Sequence, residues 1–222
     1  MSRSRFTSSA ASEGEIPRAR DLRIPPHAPG MRIGLFGGSF NPPHRGHRAA
    51  SLLAMKRLGL DRIWWLVTPG NPLKDTRALP PLGSRIAAAR ALARDPRIDV
   101  TGIEAALGTT YTCDTLTVLL RRCPGVRFVW VMGADILKEF HRWRNWRRIA
   151  DLVPIAIIDR TGASLDTDGT IAARALARAR IPETDARALA LRRPPAWVAL
   201  HGLKSGLSST ALRRGRKGTG GG

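Results

Sequence analysis

Long apolar runs are missing from this sequence, acidic residues are scarce, and cysteine and tyrosine are nearly absent. The richest apolar stretch, Ile63-Trp64-Trp65-Leu66-Val67, is strand-sized and far short of a membrane span. The basic, serine-rich start from Met1 to Ser9 is not followed by an apolar signal region, which argues against secretion. Two cysteines, Cys113 and Cys123, with no histidine at ligand spacing, make neither a zinc site nor a disulfide framework; both read as reduced residues of a cytoplasmic protein. One tyrosine among 222 residues leaves little to stack on nucleic-acid bases, and no nucleic-acid module is recognisable.

Against 17 acidic residues stand 37 Lys and Arg, a net charge of +20. That balance suggests a polyanionic partner. The arginines are nevertheless spread along the chain, in pairs such as Arg121-Arg122, Arg147-Arg148 and Arg213-Arg214 that flank helix-like segments. Phosphate-rich small substrates and a coding bias toward arginine account for the charge as well as nucleic acid does.

What is present is an alternation of short apolar strands and helices. Residues 1–30, rich in Ser, Arg and Pro, read as a disordered extension, 31–214 as one domain, and 215–222 as a flexible tail. Strands are expected at Arg32–Phe36, Arg62–Thr68, Ile98–Ile103, Arg127–Met132, Val153–Ile158 and Trp197–Leu200. Helices are expected from about His44 to Leu58, Leu82 to Arg94, Tyr111 to Arg121, around Ile136–Phe140 and Trp143–Ala150, near Thr170–Ala179, and from Ser208. This pattern implies an α/β fold, a mainly parallel sheet covered on both faces in three layers, with ligands bound beyond the carboxyl ends of the strands.

The first strand–helix junction, Gly37-Gly38-Ser39-Phe40-Asn41-Pro42-Pro43-His44-Arg45-Gly46-His47, gathers several phosphate-handling features. The glycines allow a sharp turn and close approach of backbone amides. The prolines stiffen the loop before the helix, and two histidines three residues apart project from its first turn. A helix N-terminus beside two imidazoles suits a phosphate. Either histidine alone would read as an ordinary surface residue.

This segment resembles the HxGH nucleotidylyltransferase superfamily, whose Gly-x-Phe-x-Pro-x-His-x-Gly-His signature is matched by Gly38, Phe40, Pro42, His44, Gly46 and His47. The resemblance implies a Rossmann-like fold and direct nucleotidyl transfer, with both histidines on the triphosphate and Gly38, Ser39 and Phe40 at the ATP site. The superfamily's second motif, Ser-x-Thr-x-x-Arg/Lys, is supplied by Ser208-Ser209-Thr210-Ala211-Leu212-Arg213. Ser208 is a good N-cap, the amides of Ser209 and Thr210 would face an anion, and Arg213 lies one turn on. Taken alone, that segment is a plain capped helix; paired with the first motif it reads as its partner.

The middle of the chain is similar to bacterial nicotinate-nucleotide adenylyltransferases. Pro69-Gly-Asn-Pro72-Leu-Lys74 looks like their Pro-x-x-Pro-x-Lys loop, Thr112-Cys-Asp-Thr115-Leu116 like their Thr-x-x-Thr-Leu element, and Gly133-Ala-Asp135 like their Gly-x-Asp, with a tryptophan segment Trp143-Arg-Asn-Trp146 after it. Lys74 would reach substrate phosphate, and Thr112 would meet the pyridine substituent at a helix start. The Asp135 carboxylate, beside Gly133, would accept ribose hydroxyls, and Trp143 would offer a flat face to the pyridine ring. Arg142 or Arg144 would favour a ring carboxylate. Trp64 and Trp65 read as packing residues. The resemblance implies ATP and nicotinate mononucleotide as substrates and Mg²⁺ carried mainly by ATP phosphates. Two alternatives stay open: an adenylyltransferase for nicotinamide mononucleotide or another small phosphate, and a basic nucleic-acid-binding protein on the same fold.

Overall fold

The computed structural model describes residues 16–70, 78–159 and 169–202. The strands β1 (Arg32–Gly38), β2 (Arg62–Val67), β3 (Ile98–Thr101), β4 (Arg127–Gly133), β5 (Ile155–Ile158) and β6 (Trp197–Leu200) form one sheet in the order β3-β2-β1-β4-β5-β6, and every pairing is parallel. The helices are α1 (Arg45–Leu58), α2 (Leu82–Ala93), α3 (Ile103–Leu107), α4 (Thr112–Arg122), α5 (Ala134–Phe140), α6 (Trp146–Leu152) and α7 (Ile171–Ala175).

Strand alternation builds two cores. Leu35, Trp64, Leu66, Trp130 and Ile157 face one side, where residues of α3 to α7 close over them. Phe36, Trp65, Val67, Val131 and Ile158 face the other, under α1, α2 and a 3-10 segment, Glu183–Leu191. With both faces covered, the strands carry almost unbroken apolar sequence, which is why their positions were legible. Among the described residues no helix is long and apolar enough to cross a membrane.

The strand order reverses between β1 and β4. Crossovers leave these neighbours in opposite directions and open a crevice beyond their carboxyl ends. Phe36 is in register with Val131, two residues short of Gly38 on one strand and of Gly133 on the other. The two candidate glycines thus lie side by side at the crevice.

Several segments differ from the expected elements. Residues 16–30 lie inside the stretch read as a disordered extension, yet they pack on the domain. A 3-10 turn, Ala19–Leu22, buries Asp21, whose carboxylate meets Arg90 at 2.8 Å and whose carbonyl accepts from Gly102 N at 2.7 Å. His27 sets its ring edge-on to Trp64, and Gly30 N–H donates to Gly125 O at 2.8 Å. Composition gave no sign of these partners, because they lie far along the chain. β3 ends at Thr101 rather than Ile103: the Thr101 hydroxyl donates to the Arg23 carbonyl and accepts from Ile103 N–H, turning the chain into α3. The helix expected from Trp143 starts at Trp146, since Asn145 adopts φ 54°. Neither α3 nor the 3-10 segment Glu183–Leu191 is among the expected elements.

Candidate active site

The chain reversal after β1 is made by a phenylalanine. Neither Gly37 nor Gly38 has a positive φ, whereas Phe40 sits at φ 46°. That region is costly for a bulky L-residue and persists only where surrounding contacts over-determine it. The contacts are visible: the Phe40 ring is fully buried, stacked on Trp65 at 5.0 Å and 21°, and lies 4.9 Å from the His47 ring. Gly37 is required for a different reason than turning, because a Cβ there would stand 2.8 Å from Trp130 Cη2. Gly38 ends β1 with its carbonyl accepting from Thr68 N at 3.0 Å, which ties the β1 and β2 exits together.

His44 is the N-cap of α1, and the two imidazoles are built into the cap. The His44 N–H donates to His47 Nδ1 at 3.1 Å, while the His47 N–H donates to the His44 carbonyl at 2.9 Å. An Nδ1 that accepts carries no proton, so the neutral His47 ring holds its hydrogen on Nε2. The ring centroids are 3.8 Å apart, and the residues are only 5% and 9% exposed. The first turn of this fourteen-residue helix contains no acidic residue to offset its positive end. Two imidazoles and a helix N-terminus with no acidic residue in its first turn therefore meet at one spot, an arrangement suited to a polyanion.

Trp65, Ser51 and Arg85, none of them part of a phosphate-binding motif, hold this spot in place. The Trp65 indole donates to Ser51 Oγ at 2.7 Å, and Ser51 Oγ donates to the His47 carbonyl at 2.9 Å. Trp65 thus carries Phe40 on its face and the first turn of α1 at its edge. Arg85 of α2, fully buried, donates to carbonyls of both strand exits, including Ser39 and Thr68. Glu104 of α3 is buried beside the Thr68 and Thr115 hydroxyls; burial pushes its carboxyl up to about 7, a rise those two hydroxyls only partly oppose. A serine in a helix, an arginine in a helix and a glutamate in a short helix carry no local signature of these roles.

The second half of the crevice is less enclosed. Gly133 is buried as the N-cap of α5, and Asp135 is exposed in its first turn, so the cap itself is the glycine. Trp143, in the turn between α5 and α6, rests edge-on against Trp130 at 6.1 Å and Phe140 at 5.4 Å. Because Trp130 also touches Gly37, Trp143 and the β1 exit share one support. Thr112 opens α4 next to Tyr111, and the Arg144 guanidinium stacks 4.6 Å over the Tyr111 ring, which brings a cation to that helix start. Gly38, Ser39, Phe40, His44 and His47 are gathered at the β1–α1 junction; Gly133 and Asp135 follow the neighbouring strand β4, Trp143 follows α5, and Thr112 opens α4. Lys74, Ser208, Ser209, Thr210 and Arg213 lie outside the described residues.

Comparison with known proteins gives consistent results. The model of the cytidylyltransferase-like family matches residues 35–215. A Methylorubrum extorquens protein named "Probable nicotinate-nucleotide adenylyltransferase" is 61% identical over 183 residues, which are 82% of this chain and 99% of the relative. A Rhizobium meliloti protein of the same name is 57% identical over 188 residues, 85% of this chain and 100% of the relative. Among solved structures, the Plasmodium falciparum nicotinic acid mononucleotide adenylyltransferase complexed with NaAD superposes with a TM-score of 0.61 at 17% identity, covering 83% of each chain. That last likeness speaks to the fold.

Proposed function

Since the chain belongs to the cytidylyltransferase-like family, we propose that it joins nicotinate mononucleotide to the AMP part of ATP, giving nicotinate adenine dinucleotide and pyrophosphate. The observation that carries the chemistry is the His44–His47 pair at the N-terminus of α1, 3.8 Å between centroids, at the point where the strand order reverses. The names of relatives more than half identical to this chain carry the choice of acceptor.

In this reaction a 5′-phosphate oxygen of the mononucleotide attacks the α-phosphorus of ATP in line, and the bond to the β-phosphate oxygen breaks to release pyrophosphate. No covalent enzyme intermediate is needed, and catalysis consists of placing two polyanions and neutralising developing charge. The His47 Nε2–H, fixed by the cap bond at Nδ1, is a donor to the transferring phosphate, with His44 beside it. The amides of Ser39 and Phe40 complete the triphosphate end. Ser208 to Thr210 and Arg213 take the leaving phosphates, and Lys74 the acceptor phosphate. Asp135 accepts ribose hydroxyls, Trp143 stacks on the pyridine, and the start of α4 at Thr112 meets its carboxylate. Arg144 over Tyr111 supports a ring carboxylate in preference to a neutral carboxamide.

Mg²⁺ prefers oxygen donors and retains water. Among the described residues no three His, Cys, Asp or Glu side chains gather as a metal cage. Such a cation would arrive on ATP and would offset the charge of the phosphates. A cytoplasmic location accords with an ATP substrate and with Cys113 and Cys123 both being free thiols.

Pyrophosphate release from ATP, measured with nicotinate mononucleotide and with nicotinamide mononucleotide, tests this reading. A higher kcat/KM with nicotinate mononucleotide is expected. His47→Asn, whose amide oxygen can keep the cap bond while the Nε2–H is lost, should lower turnover by about 10²-fold or more. Near-normal turnover in a folded variant removes His47 from the mechanism, and preference for the nicotinamide substrate overturns the choice of acceptor.

A further inference from the structure

Arg85 is the only buried arginine among the described residues, 3% exposed, and it is used for neither an ion pair nor a surface contact. Its donors end on carbonyl oxygens: Nε on Pro80 at 2.8 Å, Nη1 on Ser39 at 2.9 Å and Thr68 at 2.7 Å, and Nη2 on Pro69 at 3.2 Å. Ser39 belongs to the β1 exit and Thr68 and Pro69 to the β2 exit, so one guanidinium from α2 clamps both loops. Only a planar fork of five N–H groups can serve carbonyls in this spread; an ammonium reaches fewer of them and is more costly to desolvate.

The Ser39 carbonyl belongs to the peptide unit that precedes Phe40. Rotation of that unit about the Phe40 N–Cα bond is the angle φ, held here at 46°. The Phe40 ring is fixed from the far side by Trp65 and His47, so anchoring the Ser39 carbonyl closes the last degree of freedom that would let the turn relax to a negative φ. The same nitrogen holds Thr68, whose own N–H donates to Gly38 O. The path from Gly38 to His44 is therefore set from α2.

We infer that Arg85 is a positioning residue for nucleotidyl transfer: by locking the Ser39 carbonyl to the β2 exit it enforces the left-handed Phe40 turn, and so fixes where His44 and His47 meet phosphate. Its charge, balanced by no carboxylate among the described residues, also adds to the positive potential behind the polyanion site. This inference rests on the proposed reading of Gly38–His47 as the triphosphate loop. Transfer needs alignment to a fraction of an ångström, whereas binding tolerates more, so the effect falls on kcat before KM.

Arg85→Lys and Arg85→Met test it, with kcat and KM for each substrate and peptide-resolved amide hydrogen exchange. In Arg85→Lys, kcat should fall by about 10²-fold with each KM within about threefold. Exchange at Phe40, Asn41 and Thr68 should rise about tenfold or more while that of β4 and α4 is kept, with Arg85→Met the more severe of the two. Near-wild-type kcat, a loss expressed in KM alone, or faster exchange spread through the whole domain overturns the inference. So does a failure of Arg85→Lys to fold, since Arg85 would then serve stability rather than position. A wild-type chain inert toward nicotinate mononucleotide would instead sink the proposed function, and the exchange measurement separates that failure from this one.

Discussion

At the scale of single residues, the site is surrounded by polar groups whose burial would be costly without specific partners. Glu104 is the clearest case. An ordinary carboxyl titrates near 4.5, and burial lifts this one to about 7. Because the folded pKa lies above the unfolded one, the native state holds the proton more tightly. Stability from this residue is then fully present below about pH 4.5, falls as pH rises toward 7, and levels off above it. Glu104→Gln keeps the shape and removes the titration. The variant should gain little at pH 4.5 and become more stable than wild type by on the order of 2–3 kcal/mol at pH 8. Urea unfolding at both pH values measures this, and a difference that does not grow with pH contradicts a buried, proton-holding Glu104. The residue also shows where sequence reading stops. Nothing in Ile103-Glu-Ala-Ala-Leu107 says that its glutamate will lie against Thr68 and Thr115, because burial is decided by segments far away. The two histidines were legible because their spacing is local, and the helix N-terminus supplies the rest.

At the scale of elements, parallel strands buried on both faces announce themselves as apolar runs, and β6 was read to its end residues. Elements held by long-range hydrogen bonds did not. The stretch Ile16–Gly30 has a tail's composition, yet it runs from the end of β3 to the loop before β4. Along the way the Asp21 carboxylate meets Arg90, the Thr101 hydroxyl meets the Arg23 carbonyl, and Ile24 packs on the core around Trp64. Each buried backbone bond contributes about 1 kcal/mol net, and uncovering part of Trp64 costs more. A chain starting at Met31 should therefore lose about 2–4 kcal/mol and melt about 5–15 °C lower, with the strand exits of β1 and β4 still assembled. Thermal unfolding of the two chains, with kcat compared well below either midpoint, checks both statements. Equal melting temperatures would mean that these contacts contribute nothing to stability.

At the scale of the molecule, the question raised by a net charge of +20 is whether the positive field is organised. A nucleic-acid binder presents its cations as a stripe or patch that follows the phosphate backbone. Here many arginines are engaged one at a time in holding the fold together. Arg62 grips Asp99, Arg97 grips Asp95, Arg57 grips Glu183, and Arg90 bridges Asp21 and the Val100 carbonyl. Arg48 and Arg94 donate to carbonyls, while Arg144, Arg147 and Arg180 lie over Tyr111, Trp146 and Trp197. Among the described residues such a distribution disperses the positive charge, and exposed charges more than about 8 Å apart are screened at physiological salt. Among the described residues the start of α1, with no acidic residue in its first turn, is a helix N-terminus suited to a phosphate group. Filter binding at about 0.15 M salt should accordingly find no stable complex with RNA or duplex DNA, while low salt yields weak, sequence-independent retention. Substrate KM values should rise with salt, since two phosphate esters are drawn to the same spot. Tight retention at physiological salt with a steep salt slope would restore the nucleic-acid reading, and with it a reason for the arginine content that adenylyl transfer does not require.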